Sequence, residues 1–334
     1  MWDENKVRIV DIARELGLST ATVSNVLHGK TKKISDATVR RVERALEERG
    51  YIPNMAATLL ARNNSRIIGV AVKNHEKYEG KLLEDPFVSA AVNALSDEIE
   101  RQGYFMMLKK AGEIMDIVRF ASMWNLDGMM VLSFCADEYQ NLRDHIRVPF
   151  VAYDGYMESP SRISNVTLDD FDGGRQMGEY LRAMGHRRVL FAADNRICMD
   201  WDRYEGLCQG LGERADFLEI PLQAAAREAF YRKQLPVLKA HTAVFAASDF
   251  YAMELMGFLR RQGLRVPEDL SLCGFDGSPY CRMATPRLTS VAQDHRLRAA
   301  TAMELLTQMI ADPAFCQTRT LPVRLQIGES VAKI

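Results

Sequence analysis

Six polar residues follow apolar segments of the chain and could together bind a hydroxylated small molecule. They are Lys73, Asn74, Asp154, Arg203, Ser248 and Asp276. A polyol both donates and accepts hydrogen bonds; carboxylates accept them, and Arg offers a planar fork of donors. Taken singly, each residue is more often a helix cap or a surface charge. The cap interpretation is strongest for the neighbouring Asp249, which directly precedes Phe250.

A second group of residues has the chemistry for contacting DNA. Small polar side chains cluster near the start of one short apolar-patterned segment, and they are Ser19, Thr20, Ala21, Thr22, Ser24 and Asn25. Hydroxyl groups bind phosphates or base edges, methyl groups contact thymine, and small side chains allow close approach. Residues 1–66 hold twelve Lys and Arg against eight Asp and Glu, whereas the remainder of the chain is acidic. A basic head on an acidic body suits a nucleic-acid-binding protein.

The elements that would position these side chains are three short helices. Ile9, Ile12, Ala13 and Leu16 have helical spacing, and Gly17 ends that segment. Ser19 is placed to cap a second helix over 20–27, and Ser35 to cap a third that ends at Gly50. Two helices joined by a tight turn and braced by a third predict a helix-turn-helix, whose second helix enters the major groove. A three-helix bundle without a DNA role is the alternative.

The next segment contains a chain break and a further short helix. Ile52 precedes Pro53 and is pushed out of the helical region, and Asn54 can cap a helix over 55–61. Such a helix has too few turns to be stable alone, so it is a candidate for folding on binding. Leu60 would then be free to wedge between base steps in the minor groove. An ordinary connector is the alternative.

The remaining chain alternates between strand-like and helix-like segments. Strands are predicted at 67–72, 104–108, 128–132, 150–153, 189–193, 243–246 and 270–275. Helices are predicted at 87–102, 113–124, 173–184, 203–211, 250–262 and 296–310. This alternation predicts parallel sheets covered on both faces, and the number of strands fits two doubly wound lobes. Ligands bind at the carboxyl ends of such strands, so the cleft between the lobes is the expected small-molecule site.

The headpiece residues resemble a known family. The stretch Val-Arg-Ile-Val-Asp-Ile-Ala-Arg-Glu-Leu-Gly-Leu-Ser-Thr-Ala-Thr-Val-Ser-Asn-Val-Leu at 7–27, and Tyr51-Ile52-Pro53-Asn54, closely resemble the lac repressor/gal repressor (LacI/GalR) family of bacterial transcription regulators. The resemblance runs over essentially the whole chain. In the body it is carried by four short stretches: Gly185-His186-Arg187-Arg188, Arg203-Tyr204-Glu205-Gly206, Ala247-Ser248-Asp249 and Gly274-Phe275-Asp276.

The resemblance implies a fold and a domain organisation. The fold is an α/β two-lobed, periplasmic-binding-protein-like effector domain, made of two doubly wound parallel sheets, behind an all-α helix-turn-helix headpiece. The expected boundaries are 1–50 for the headpiece, 51–65 for a hinge helix and linker, and 66–334 for the effector and dimerisation domain. The N-lobe would comprise about 66–166 and 295–322, and the C-lobe about 167–294 and 323–334.

The resemblance also implies partners and site residues. They are operator DNA, bound by a homodimer, and a small-molecule effector, most simply a sugar or sugar derivative; a purine or no effector is the alternative. Thr20, Ala21 and Asn25 match base-reading positions, and Leu60 matches the family's minor-groove leucine. The full expected DNA-binding set is Ser19, Thr20, Ala21, Thr22, Ser24, Asn25, His28, Asn54, Ala57 and Leu60. Effector contacts are implied for Asp154, Arg203, Ser248 and Asp276.

Four departures from the family pattern bear on specificity. Asn25 stands where many members carry Arg, and Ser248 replaces the Asn of the lac repressor. The loop 29–34 is longer and more basic, so its lysines either contact phosphates or form a solvated surface. The stretch 75–84 is also long. It is either a lid that sets ligand choice or a surface insertion.

Other classes of function find little support in the sequence. The six cysteines lack metal-ligand spacing and are expected to be reduced, no cofactor motif or nucleophile elbow is present, and catalysis is therefore not expected. The chain starts without an apolar leader and has no membrane-length apolar run, so we expect a soluble, cytoplasmic protein. No heptad extension follows the last predicted strand, which favours a dimer. The alternative function is a cytosolic sugar-binding protein or enzyme without specific DNA binding.

Overall fold

The computed structural model describes residues 7–27, 29–51, 65–157 and 163–334. Contacts divide the chain into two compact units, Met1–Ser65 and Arg66–Ile334. Four residues expected to contact DNA lie outside the described residues, together with the predicted helix 55–61. They are His28, Asn54, Ala57 and Leu60.

The first unit contains three helices. They are α1 (Ile9–Leu16), α2 (Thr20–Leu27) and α3 (Asp36–Glu48). Gly17 ends α1 with a φ of 66°, a left-handed conformation that glycine adopts without steric cost. The hydroxyl oxygens of Ser19 and Ser35 accept hydrogen bonds from backbone N–H groups in the first turns of α2 and α3. Both predicted caps and all three predicted helices are therefore confirmed.

These helices bury a small apolar core. Its fully buried members come from all three helices: Ile12, Ala13, Val23, Val26, Val42 and Ala45. Val23 and Val26 point into this core from α2, whereas Thr20, Ala21 and Asn25 of that helix are exposed. The amphipathic pattern thus fixes which face of α2 is free.

The second unit begins with a sheet, which we call the N-lobe sheet. Its order is β11-β5-β4-β3-β1-β2, and every neighbouring pair is parallel. The strands are β1 (Ile67–Lys73), β2 (Phe105–Ala111), β3 (Gly128–Leu132), β4 (Phe150–Tyr153), β5 (Ser164–Leu168) and β11 (Thr318–Leu321). Helices α4 (Pro86–Arg101), α5 (Ile114–Trp124) and α6 (Ala136–His145) connect them. A buried apolar cluster lies on each face.

The second sheet of this unit, the C-lobe sheet, has the order β12-β10-β9-β8-β6-β7. Only its edge strand β12 is antiparallel among the strands described. The strands are β6 (Val189–Ala193), β7 (Asp216–Glu219), β8 (Ala243–Ala246), β9 (Ser271–Asp276), β10 (Thr289–Ala292) and β12 (Arg324–Gln326). The helices are α7 (Asp170–Ala183), α8 (Cys198–Leu211), α9 (Ala224–Lys233), α10 (Leu235–Ala240), α11 (Asp249–Arg261) and α12 (Pro279–Met283).

The chain passes between the two sheets at three places. It leaves the N-lobe sheet after β5, returns after β10 through α13 (His295–Ala311), and leaves again between β11 and β12. Helix α13 packs with α4 on the N-lobe sheet. The two predicted doubly wound lobes are confirmed, with strand carboxyl ends supplying most of the polar residues considered below. In the described part of the chain, no helix is long and apolar enough to cross a membrane.

Candidate functional site

Helix α2 presents a small, polar surface. Ser19, Thr20, Ala21 and Asn25 are exposed, and Thr22 and Ser24 are half-buried behind them. The hydroxyls of Ser19 and Thr22 lie 2.8 Å apart, and Ser19 Oγ accepts a hydrogen bond from the Thr22 backbone N–H at 3.1 Å. The first turn of α2 is therefore stabilised by the side chains of Ser19 and Thr22, while Thr20, Ala21 and Asn25 remain exposed to solvent. Such a surface can lie close to a nucleic-acid groove.

The loop after α2 adds positive charge. Lys30, Lys32 and Lys33 are exposed, and the Lys30 backbone N–H donates to Asn25 O at 2.8 Å. That bond fixes the start of the loop to the end of α2. The three lysines thus form an exposed, positively charged surface beside the end of α2.

In the second unit, Asp154 pairs with an arginine that the sequence analysis did not single out. Arg298, on α13, is fully buried and donates from Nη2 to Asp154 Oδ1. Its guanidinium also stacks on the ring of Tyr153, with Cζ 4.5 Å from the centroid. Asp154 follows β4 and has a φ of 71°. Asp tolerates this left-handed conformation better than most residues, because its short side chain can hydrogen-bond locally.

A glutamine connects this pair to the other lobe. Gln293 lies at the crossover between β10 and α13; its Oε1 accepts from Arg298 Nη1 at 2.9 Å and its Nε2 donates to Asp276 Oδ1 at 3.1 Å. Asp276 ends β9 with a φ of 124°, a strained conformation for any residue except glycine. Burial, reinforced by the negative charge of Asp249, raises the pKa of Asp276 well above its usual value. A chain of polar contacts therefore runs from Asp154 to Asp276 across the crossover.

Arg203 forms the second buried ion pair. Its Nε and Nη2 donate to Asp170 Oδ1 at 2.8 and 2.7 Å, and its Nη1 donates to Ala247 O at 2.7 Å. The guanidinium lies against the ring of Phe275, with Cζ 3.8 Å from the centroid. Asp200 adds a second carboxylate, 3.5 Å from Nη1. Arg203 is thus fully engaged and held rigidly.

Glycines hold the helix of Arg203 against the helix of Asp170. A Cβ on Gly206 of α8 would lie 2.0 Å from Phe171 O, and a Cβ on Gly174 of α7 would lie 2.0 Å from Arg203 O. Gly178 and Gly210 repeat this close approach one turn further along. We call these four residues the glycine seam. It brings the two backbones into direct contact and so sets the distance between Arg203 and Asp170.

The other predicted residues have different surroundings. Lys73 donates to Glu138 Oε2 at 2.5 Å and lies over the ring of Phe134, and Asn74 is exposed. Ser248 is half-buried and caps α11, accepting a hydrogen bond from the Tyr251 N–H at 3.4 Å. The structure therefore brings Asp154, Arg203 and Asp276 near one another, close enough for their charges to interact.

The expectation that Asp249 is the helix cap was wrong. The cap is Ser248, and Asp249 is the first residue of α11 with a fully buried side chain. Its carboxylate accepts hydrogen bonds from the Ser278 N–H at 2.7 Å, the Cys281 thiol at 3.0 Å and the Ser290 hydroxyl at 2.6 Å. Asp249 thus ties α11 to the loop after β9, which positions Asp276.

Three buried polar atoms next to Asp154 lack hydrogen-bond partners among the residues that the structure describes. They are Tyr153 Oη, His295 Nδ1 and Arg298 Nε. Leaving a polar group unsatisfied costs about 1–3 kcal/mol, so such atoms are rare away from functional sites. His295 is half-buried beside Phe87, and burial lowers its pKa to about 4.

A cavity of about 470 Å³ lies beside this network. Its wall includes Asn165 and Thr320 from the N-lobe sheet and Asp170, Met199 and Asp202 from the C-lobe. Asp170 therefore contacts both Arg203 and the cavity. The six predicted residues are not part of its lining. The cavity lies between residues of both lobes, and Asp170 joins it to the ion pair of Arg203.

Sequence reasoning missed Arg298, Asp170 and Gln293, for identifiable reasons. Arg298 shares a helix face with Ala302 and Leu305, and a charged residue on an otherwise apolar face is a usable signal of a buried ion pair. Asp170 was missed because α7 begins three residues before its predicted start at 173. Gln293 lies in a crossover and carries no pattern.

Two family descriptions match the chain. Residues 8–54 match "Bacterial regulatory proteins, lacI family", and residues 179–331 match "Periplasmic binding protein-like domain". The first match covers the three headpiece helices. The second covers most of the C-lobe and the last crossovers.

Relatives of known name are similar over nearly the whole length. The HTH-type transcriptional repressor PurR of Vibrio atlanticus (strain LGP32) is 30% identical over 321 residues, with 91% of this chain and 92% of the relative covered. The HTH-type transcriptional regulator CelR of Thermobifida fusca is 30% identical over 332 residues, with 94% and 93% covered.

Solved structures share the fold. The lac repressor dimer bound to operator and the anti-inducer ONPF matches with a TM-score of 0.84 at 24% identity, covering 98% of this chain and 99% of that one. A transcriptional regulator CelR–cellobiose complex matches with a TM-score of 0.70 at 26% identity, covering 97% and 100%. With the headpiece, the two lobes and relatives of similar length all in agreement, the chain belongs to the lacI family of bacterial regulatory proteins.

Proposed function

We propose that this protein is a transcription repressor that binds operator DNA through α2 and binds a small-molecule effector between its two lobes. Two copies would occupy the halves of a near-palindromic operator, as two-fold symmetry requires. Its affinity for DNA would depend on whether the effector is bound. Its membership of a family of regulatory proteins supports this function over catalysis.

The DNA-binding role rests on the outer surface of α2. Thr20, Ala21 and Asn25 are exposed, and the Ser19 cap fixes the turn that carries them. We infer that Asn25 reads a base edge, since its amide can donate and accept at once. Lys30, Lys32 and Lys33 would bind phosphates. Leu60, predicted from the sequence to enter the minor groove, completes the expected contacts.

The observation that carries the effector site is the group of unsatisfied buried atoms around Asp154. Tyr153 Oη, His295 Nδ1 and Arg298 Nε lack partners in the described structure, although each is buried. Asp276 lies at the other end of the same polar chain, with a strained backbone and a carboxylate that accepts from Gln293 Nε2 at 3.1 Å. Such groups gain most from a ligand that brings its own hydroxyls.

The charges of the cleft favour an effector without negative charge. The charges of Arg203 and Arg298 are already balanced by Asp170 and Asp154, so neither offers an uncompensated positive charge to a phosphate or carboxylate. Asp276 would repel an anion when ionised. We therefore propose a neutral, hydroxyl-rich effector, a sugar or sugar derivative. Solved relatives in complex with cellobiose and with ribose support this class.

We infer that the effector acts by changing how the lobes close. Gln293 contacts residues of both lobes from within a crossover, so a ligand that alters Asp154 or Asp276 also alters the angle between the lobes. Coupling between two sites is reciprocal and is typically worth about 1–3 kcal/mol. That amounts to about a 5- to 150-fold change in operator affinity.

The DNA-binding proposal is tested by selecting sites from random duplex DNA at a fixed salt concentration. Wild-type protein should enrich one near-palindromic site. Asn25→Ala should change the preferred base at one position in each half-site, whereas Lys30→Ala should weaken binding to all sequences equally. Failure of the wild type to enrich any site, with or without a pooled metabolite extract, would reject the proposal and favour a sugar-binding protein without a DNA role.

The effector proposal is tested by thermal shift with named probes: ribose, cellobiose, glucose 6-phosphate and hypoxanthine. One of the neutral sugars should raise the Tm of the wild type and leave Asp276→Asn unchanged. The same sugar should alter the affinity for the selected operator. A shift with glucose 6-phosphate or hypoxanthine alone would overturn the proposed effector class but leave the DNA proposal intact.

A further inference from the structure

The segment between β1 and α4, residues 75–84, is fixed to the N-lobe; we call it the strap. His75 Nε2 lies 2.9 Å from Ser133 O, and Lys110 Nζ donates to Gly80 O at 2.8 Å. Leu82 is fully buried in the N-lobe core, and Tyr78 packs against that core. These anchors give the strap a defined position over the N-lobe, so its tip is presented to the C-lobe.

The tip of the strap reaches a helix of the other lobe. Glu79 Oε1 accepts a hydrogen bond at 3.2 Å from the backbone N–H of Ala224, the first residue of α9. Within the described structure Gln223, the N-cap residue of α9, makes no capping hydrogen bond with its side chain, and the first turn holds no acidic residue. The N-terminus of a helix carries partial positive charge and favours a carboxylate. Glu79 therefore supplies across the cleft the cap that α9 lacks.

A second residue of the strap makes a contact of opposite sign. Lys77 is half-buried, with Nζ 5.2 Å from the centroid of the Tyr78 ring. Burial opposes its charge, but Tyr78 and the C-lobe carboxylates Asp194 and Asp200 outweigh it and raise the pKa of Lys77 above its usual value. The positive charge of Lys77 is thus stabilised by negative charge on the C-lobe and, more weakly, by Asp85 of the N-lobe.

Those two carboxylates are held together as one target. Asn195 Nδ2 donates to Asp194 at 2.6 Å and to Asp200 at 2.8 Å, and the Tyr251 hydroxyl donates to Asp194 at 2.6 Å. Glu79 meets a positive helix end, and Lys77 meets a negative pair. The two residues of the strap thus interact with C-lobe groups of opposite sign.

We propose that the strap is an electrostatic latch, in which Glu79 and Lys77 hold the two lobes closed and so limit the passage of small molecules into and out of the cleft. This inference goes beyond the proposed function, since it concerns the motion of the lobes and holds whatever ligand or DNA is bound. Glu79 is exposed, so its contact with the helix end is modest and reversible. Removing it should lower the ratio of closed to open lobes about two- to fivefold.

Hydrogen exchange of the full-length, ligand-free and DNA-free protein tests the Glu79 contact. In Glu79→Ala, amides at the start of α9 should exchange about two- to fivefold faster. Glu76→Ala is the matched control, because it removes the same charge from an exposed position of the same strap. An unchanged rate in Glu79→Ala, or an equal rise in Glu76→Ala, overturns the latch.

Distance measurement between the lobes tests Lys77 independently. Spin labels on the exposed Cys135 of the N-lobe and on Lys233→Cys of the C-lobe, in a Cys316→Ser background, report the separation. Lys77→Met should shift the distribution to longer distances. Lys81→Met should not, because Lys81 is exposed and pairs only weakly, at 3.9 Å, with Glu84 of the same strap. If Lys77→Met gives the same distance distribution as Lys81→Met, the proposal is overturned. That result would not bear on effector or DNA binding.

Discussion

Replacing Arg298 by Met should destabilise the two-lobed unit strongly. Arg298 is fully buried and Asp154 nearly so, and the change leaves the Asp154 carboxylate without its cation. Gln293 also loses a donor, at 2.9 Å, and Tyr153 loses the stacked guanidinium. Removing one member of a buried ion pair typically costs about 3–5 kcal/mol. Solvent does not screen this ion pair, because neither group is exposed, so the full cost is expected.

The assay is urea unfolding, with thermal unfolding as a second measure. At about 2–4 °C per kcal/mol for a domain of 150–250 residues, the Tm should fall by about 6–20 °C. Arg287→Met is the control, because that arginine and its partner Glu329 are both largely exposed, at 58% and 54%. Breaking such a surface pair should cost less than about 1 kcal/mol.

A double variant separates the loss of packing from the burial of a lone charge. Adding Asp154→Asn to Arg298→Met removes the orphaned carboxylate, and the pair should show a coupling energy of about 1–3 kcal/mol. Two results would refute the reasoning. One is an Arg298→Met cost no larger than that of Arg287→Met; the other is a double variant whose cost equals the sum of the two single changes.

Three further predictions concern pH, packing and capping. Burial lowers the pKa of His295 to about 4, whereas a His in the unfolded chain takes up its proton near pH 6.5. The contribution of neutral His295 to the free energy of unfolding is therefore complete above pH 6.5 and is lost as the pH falls to 4. The wild type should therefore lose roughly 3 kcal/mol more than His295→Phe between pH 7 and pH 4 in urea unfolding, and parallel pH profiles would contradict this. Gly206→Ala places a Cβ 2.0 Å from Phe171 O and should lower the free energy of unfolding by about 3 kcal/mol. The control Gly257→Ala meets only an arginine side chain at 3.4 Å and should raise it by about 0.5–1 kcal/mol. Equal melting temperatures for the two variants would show that the glycine seam can relax. Ser19→Ala should cost the first unit about 1 kcal/mol and Ser19→Asp should restore it, measured by amide exchange in α2, and the capping argument fails if the two variants behave alike.

The central strands could be predicted from the sequence because burial on both faces leaves a continuous apolar signal. Strands β3, β4, β6 and β8 begin and end at the predicted residues. Strands β5 and β10 were missed although both are largely buried. Ser164, Asn165 and Thr167 give β5 a polar composition, and Thr289 and Ser290 do the same for half of the four-residue β10. The edge strands β7, β11 and β12 were missed because they are short and partly exposed.

The candidate site was predictable only where a residue directly follows an apolar strand. Asp154 and Asp276 could be found in this way, since each ends a strand that the apolar pattern defines. The burial of Arg298 had a signal on its helix face, but its partner could not be predicted, because Asp154 is 144 residues away and only the folded structure brings the two together. The strap shows the same limit. Its length can be read from the sequence, but the sequence does not show that α9 lacks a side-chain cap and that Glu79 accepts a hydrogen bond there. The effector and DNA contacts of all the predicted residues stay predictions.

The glycine seam has a consequence for how specificity can change in this chain. Because α7 and α8 touch backbone to backbone, the geometry of Arg203 and Asp170 does not depend on side chains between the helices that substitution could enlarge or trim. The two helices form one rigid block, and tolerated substitutions within this block are confined to its outer faces. New ligand preferences must therefore arise around the block, in the strap, the crossovers and the loops after the strands. Substitutions can accumulate in those segments while the ion pair of Arg203 and Asp170 keeps its geometry.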